Sequence, residues 1–184
     1  MKFCADCGQE VAQQIPDGDD RPRFVCQSCE KIHYVNPKLV VGCIPTWEDK
    51  ILMVKRAIEP RYGLWTLRAG YLEGGESVAD GARRETREEA KARLGELTPY
   101  AMYNLPEISQ LYLIFRAPLL DTDFGTSSES LETRLFLEEE IPWDQMAFKV
   151  IKECLKHFFN DRKSETYPFF IEDIKLDRRL YLDR

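Results

Sequence analysis

Apolar and polar positions along the chain fall into short strand-like runs, interrupted by two stretches of helical spacing. Residues 39–47 (LVVGCIPTW) and 50–57 (KILMVKRA) predict two strands around a tight turn. Residues 64–73 (LWTLRAGYLE) predict a short strand running into a glycine loop at Gly74-Gly75. Val78, Ala79, Ala82, Thr86 and Ala90 then recur at helical spacing. Ser77 with Asp80 resembles an N-cap with a weak capping box, so a helix is predicted over 77–93. Strands are predicted again at 100–105, 110–120 and 132–139, and a second amphipathic helix at 143–159. This succession predicts an α/β fold with a mixed sheet between helices. From Asn160 the chain is charged with aromatic islands, and the pattern leaves open whether residues 161–184 dock as a tail.

Residues 1–35 follow another logic. Cys4-x-x-Cys7 and Cys26-x-x-Cys29 are separated by eighteen residues, within the spacing of a four-cysteine zinc ribbon. A tetrahedral site would stand in for a core that so short a segment cannot build. The intervening IPDGDDRPR reads as a hairpin loop, and YVNPK (34–38) as an extended linker, since Asn36 precedes proline. Disulfides or a redox pair are the weaker alternatives. Cys43 and Cys154 sit in apolar stretches and read as core. The expected organisation is a ribbon at 1–35, a main domain at 36–160 and a tail at 161–184.

Composition narrows the function. The chain has 184 residues and a net charge of −6, which argues against a bulk grip on nucleic acid or an anionic membrane. No apolar run approaches a spanning helix, and the first ten residues lack a signal-peptide core, so the expected compartment is the cytoplasm. A polyanionic substrate would need local basic groups or metal ions as a bridge.

The predicted helix carries that chemistry. Glu85 and Glu89 stack at i,i+4, with Glu88 beside them and Glu76 just ahead of the helix. Arg84 with Glu88, and Glu89 with Arg93, are opposite-charge pairs at i,i+4, while Glu85 with Glu89 is a like-charge pair. A solvated helix face would use such charges, and so would a site for a hard divalent cation. Gly70, five residues, Glu76, seven residues, then Arg84-Glu85-Thr86-Arg87-Glu88-Glu89 resembles the Nudix box, GX5EX7REUXEEXGU. Lys91 stands where the box has a late glycine, and Thr86 and Ala92 are smaller than its bulky apolar positions. With NPKLVVGCI, GLWTL, AGYLE, SLETRLF and EEIPWDQMAF, the chain is similar to the zinc-ribbon-bearing ADP-ribose/FAD pyrophosphatase branch, which includes a plant chloroplast FAD pyrophosphatase. That branch commonly has proline where this chain has Arg68.

The resemblance implies a Nudix α/β/α sandwich and a hydrolase splitting the pyrophosphate of a nucleoside diphosphate linked to another moiety, most simply ADP-ribose or FAD. It implies Mg²⁺ or Mn²⁺ on Glu85, Glu88 and Glu89 with a carbonyl at Gly70, and structural Zn²⁺ on the four cysteines. Glu88 and Glu132 are candidate bases, with a surface loop as the plain alternative for Glu132 and its neighbour Glu129, while Glu76 and Arg84 are expected to orient the motif. Arg56 and Arg68 could clamp phosphate, and Trp65, Tyr71 or Tyr103 could stack on a base. Core packing or surface pairing is the plain alternative for each. His33 and His157 look unrelated to catalysis. Relatives that act on NADH or NAD-capped RNA carry an SQPWPFP-like stretch where this chain has AMYNLPEISQLYLIF, which ranks that activity second. A non-catalytic nucleotide sensor is the third reading. The ribbon holds more acidic than basic residues, so it is expected to buttress the fold, line the cleft or form a homodimer contact rather than bind nucleic acid.

Overall fold

A computed structural model describes residues 1–176. The chain divides into two compact units, Met1–Pro37 and a second that begins at Lys38. In the first, β1 (Val11–Gln14), β2 (Arg23–Cys26) and β3 (Ile32–His33) form a small antiparallel sheet. Its buried apolar side chains are Cys4, Val25 and Cys26, too few to hold a sheet of this size by burial alone.

The second unit is built on one mixed sheet. Its strands are β4 (Lys38–Trp47), β5 (Lys50–Arg56), β6 (Trp65–Thr66), β7 (Ala69–Tyr71), β8 (Thr98–Leu105), β9 (Gln110–Pro118), β10 (Ser130–Phe136) and β11 (Phe170–Asp173). The order is β10-β5-β4-β9-β8-β11, with β6 on β5 and β7 on β4. The parallel pairing of β4 with β9 is its spine, running from Lys38 opposite Gln110 to Thr46 opposite Pro118. Helix α1 (Val78–Ala90) packs on one face through Ala82 and Ala90, against Val41, Cys43, Leu52, Val54 and Phe115. Helix α2 (Lys149–Arg162) covers the other through Ile151, Cys154, Leu155 and Phe158, against Ile44, Met53 and Ile114. Strand β5 displays the alternation that makes this sandwich: Ile51 and Met53 face α2, Leu52 and Val54 face α1. This is the expected α/β/α arrangement. Cys43 and Cys154 are buried, and burial raises both thiols.

Three expectations need correction. The second helix begins at Lys149, not Trp143. Trp143–Gln145 form a 3₁₀ turn, Met146 bridges Trp65, and the Ala147 N–H bonds the Trp65 carbonyl at 2.8 Å, so sheet pairing takes backbone a helix would need. Helix α1 ends at Ala90, because Lys91 adopts a left-handed conformation (φ 54°) and its N–H closes on the Arg87 carbonyl. With the helix ended, Arg93 pairs with Asp121 instead of Glu89. The segment left open by the pattern does dock: β11 adds to the sheet parallel to β8, Phe170 opposite Ala101 through Asp173 opposite Asn104. Residues 177–184 of the expected tail lie outside the described residues.

Candidate metal and pyrophosphate sites

In the first unit the cysteine sulfurs of Cys4, Cys7, Cys26 and Cys29 all lie within 4.8 Å of one another. Cys4–Cys29, Cys7–Cys26 and Cys7–Cys29 are 3.8, 3.4 and 3.5 Å apart. Four thiolates around zinc at about 2.3 Å stand about 3.8 Å apart, so the quartet fits a tetrahedral ion. The N–H groups of Cys29 and Ser28 point at Cys26 Sγ and lower that thiol to about 6, favouring the thiolate a metal needs. His33 Nε2 lies 3.2 Å from Cys4 Sγ, so this histidine belongs to the surroundings of the quartet.

In the second unit the loop after β7 and the helix α1 assemble the carboxylates. Ser77 caps α1 by accepting the Asp80 N–H, but Asp80 turns its carboxylate to the Ser77 hydroxyl, so the reciprocal half of a capping box is absent. Arg84 is the organising cation. It donates to Glu76 at 2.8 and 3.0 Å, to Glu85 at 2.7 Å, to Glu88 at 3.3 Å and to the Tyr71 carbonyl at 3.2 Å. Those bonds hold the Glu76 carboxyl down at about 2. Glu85 is 7% exposed and packs against Gly70, where a Cβ would collide with its carboxylate. Burial pushes both Glu85 and Glu89 upward, against the pull of Arg84 on the first and Arg68 on the second. Glu88 is the open member, with 60% of its side chain exposed. An all-oxygen set suits a hard divalent cation, and the space left at Gly70 lets one carboxylate lie against the β7 backbone. Among the described residues the thiol quartet is the group of three or more metal-ligating side chains that converges within 4.8 Å; Glu85 and Glu88 are bonded to Arg84 and Glu89 to Arg68.

A cavity of about 740 Å³ opens beside this helix, lined by Arg56, Tyr71, Glu89, Gln110, Tyr112 and Phe148 over a floor that includes Leu67 and Ile151. The Arg56 guanidinium lies 5.1 Å over the Phe148 ring, with Nε donating to the Pro60 carbonyl at 3.0 Å. Tyr71 is 49% exposed and accepts a bond from Gln110 at 3.0 Å. The other proposed binders lie elsewhere. Trp65 is buried edge-on to Phe136 and Tyr103 is fully buried with its hydroxyl at His157, so both are core residues. Arg68 is buried and bonded to Glu89 and Ser130, so it is no open phosphate clamp. Glu132 is exposed on β10 opposite Lys55, whereas Glu129 acts electrostatically on Arg56, Arg68, Glu85 and Glu89. A register shift between Ser130 and Glu132 separates the two environments, and a single sequence carries no signal for it.

Residues 36–158 match the family described as the NUDIX domain, and residues 2–35 match its N-terminal zinc ribbon, described as Nudix N-terminal. A crystal structure of a NUDIX hydrolase from Nitrosomonas europaea is 52% identical with a TM-score of 0.92, over 96% of this chain and all of that one. An ADP-ribose pyrophosphatase from Streptococcus suis is 25% identical with a TM-score of 0.61, over 74% of this chain and 99% of that one. The NAD-capped RNA hydrolase NUDT12 of Homo sapiens is 26% identical over 149 residues, 76% of this chain and 32% of that protein. The chain spans about a third to about half the length of such curated relatives. Strand order, the carboxylate helix and these matches agree: the chain belongs to the Nudix family and carries that family's N-terminal zinc-ribbon domain.

Proposed function

We propose that the chain is a divalent-metal-dependent hydrolase that splits the pyrophosphate of a nucleoside diphosphate linked to another moiety, with ADP-ribose or FAD as substrate and AMP as one product. The observation that carries this reading is Glu85, Glu88 and Glu89 on one helix, with Glu89 and Gly70 in the wall of a cavity large enough for a dinucleotide. Glu85, Glu89 and the Gly70 carbonyl would hold Mg²⁺ or Mn²⁺. Such an ion neutralises phosphate oxygens and makes water a better nucleophile. Arg84 would keep the carboxylates aligned, and Arg56 and Tyr71, which line the cavity, would take a phosphate and a ring. Glu88, the most exposed of the three, is the candidate base, and Glu129 replaces Glu132 as its alternative.

A second reading, cleavage of NADH or NAD-capped RNA, is favoured by the names of the curated relatives. A product assay on FAD, ADP-ribose, NADH, NAD-capped RNA and nucleoside triphosphates separates the two. Release of AMP from ADP-ribose or FAD is expected, with loss on Glu85→Gln plus Glu89→Gln. Cleavage of NADH or capped RNA alone would promote the second reading. Tight binding without turnover of any compound would make the protein a sensor.

A further inference from the structure

Arg68 stands where the resembled branch commonly has proline, and its surroundings are unlike those of a surface cation. The residue is 4% exposed between β6 and β7, at the last turn of α1. One terminal nitrogen donates to the Glu89 carboxylate. The other donates to the Glu89 backbone carbonyl at 2.9 Å and to Ser130 Oγ, and Ser130 in turn donates to the same carbonyl at 2.9 Å. Arg68 Nε is buried without a hydrogen-bond partner among the described residues. Glu89 is therefore gripped at both its carboxylate and its backbone by a buried charge.

We propose that Arg68 is a resident cation competing with the divalent metal for Glu89, so that full metal loading requires the Arg68–Glu89 pair to open. The proposal rests on α1 being the metal-binding helix. Glu85 and Glu88 share Arg84 with Glu76 and the Tyr71 carbonyl, so that arginine keeps partners if one carboxylate turns away. Arg68 has less reserve: among the described residues Glu89 is the carboxylate bonded to it, and Glu129 acts on it only through space. In the metal-free protein the arginine neutralises a half-buried carboxylate that would otherwise stand unpaired in the cavity wall. The same contact weakens the metal, because an ion that takes the Glu89 carboxylate leaves the buried guanidinium with the Glu89 carbonyl, Ser130 and the more distant Glu129 but no directly bonded carboxylate.

A purely structural clamp makes the opposite forecast, since its loss would loosen the end of α1 and weaken metal binding. The test compares Arg68→Gln, which keeps amide donors but removes the charge, with Arg68→Lys, which keeps the charge. Mn²⁺ affinity is read by calorimetry and by the paramagnetic resonance of free Mn²⁺, on the full zinc-loaded chain. Arg68→Gln should bind Mn²⁺ about tenfold tighter or more than wild type, and Arg68→Lys within about threefold of it. Arg68→Gln should also melt lower without metal and recover more on adding Mn²⁺. Unchanged or weaker affinity in Arg68→Gln overturns the competition. No Mn²⁺ binding by wild type or either variant overturns the metal-helix reading instead. If Arg68→Gln does not fold, nitrogen NMR of the wild-type Arg68 guanidinium decides. Hindered rotation should be released on Mg²⁺ titration, and rotation unchanged at saturating Mg²⁺ overturns the proposal.

Discussion

Replacing Gly70 with alanine adds a single methyl group at the most crowded point of the carboxylate cluster. Its Cβ would collide with both carboxylate oxygens of Glu85 and the carbon between them. Glu85 must then retreat by about 1 Å, yet it is buried and bonded at 2.7 Å to Arg84, which also holds Glu76 and Glu88. Overpacking of this kind costs about 1–3 kcal/mol. At about 2–4 °C per kcal/mol for a chain of this size, the melting temperature should fall by about 2–12 °C. Displacing a metal-holding carboxylate by that distance should lower kcat on ADP-ribose by about a hundredfold. Gly74→Ala is the control, because open space surrounds its Cβ and the change should stay within about 0.5 kcal/mol. Scanning fluorimetry and AMP release with Mg²⁺ measure both effects. A Gly70→Ala protein with wild-type melting and turnover would refute the crowding argument. Lowered melting with intact turnover would remove Glu85 from the chemistry.

Three more outcomes are expected. Lys91→Gly should stabilise the protein by up to about 1 kcal/mol in urea titrations, because a left-handed lysine costs about 1–2 kcal/mol and glycine's chain entropy returns about half of that; a destabilised variant would mean Lys91 makes contacts worth more than its strain. Glu76 titrates at about 2 in the fold against 4.5 when free, so its stabilisation is complete above about pH 4.5 and disappears as the pH falls toward 2; the melting advantage of wild type over Glu76→Gln should shrink over that window, and a constant gap would contradict the Arg84 bond. Chelating the zinc should strip amide-exchange protection from β1, β2 and β3 while the β4–β9 spine stays protected; a ribbon still protected without metal would show that its small core suffices.

What could be read from the sequence was local. Ser77 and the Glu85–Glu89 stack belong to one helix, and the spacing between them needs no distant partner to interpret. The two CxxC pairs are equally local, and their sulfurs converge. Long-range choices were hidden. Arg68 is visible as a departure, but its partner Glu89 lies 21 residues away and across a turn. Trp65 and Tyr71 look alike as aromatics flanking a glycine loop, yet one sits on the Phe136 ring and the other on the cavity rim. Met146–Phe148 has helical composition and loses it to pairing with Trp65. Strand β11 is four residues with a parallel partner about seventy positions earlier, a pairing that no window of sequence contains.

Because β4 and β9 pair directly, everything that carries the carboxylates is a closed excursion between two zipped strands. Biosynthesis meets these parts in an awkward order. A ribosome completes α1 and Glu89 well before it reaches Gln110, so the growing polypeptide holds its glutamates before it holds the framework that sets them. Parallel pairing across such a gap is slow to nucleate. A nascent fragment ending at Ala90 is expected to show neither helix protection nor Mn²⁺ uptake by α1, and one extended past Pro118 to gain both together.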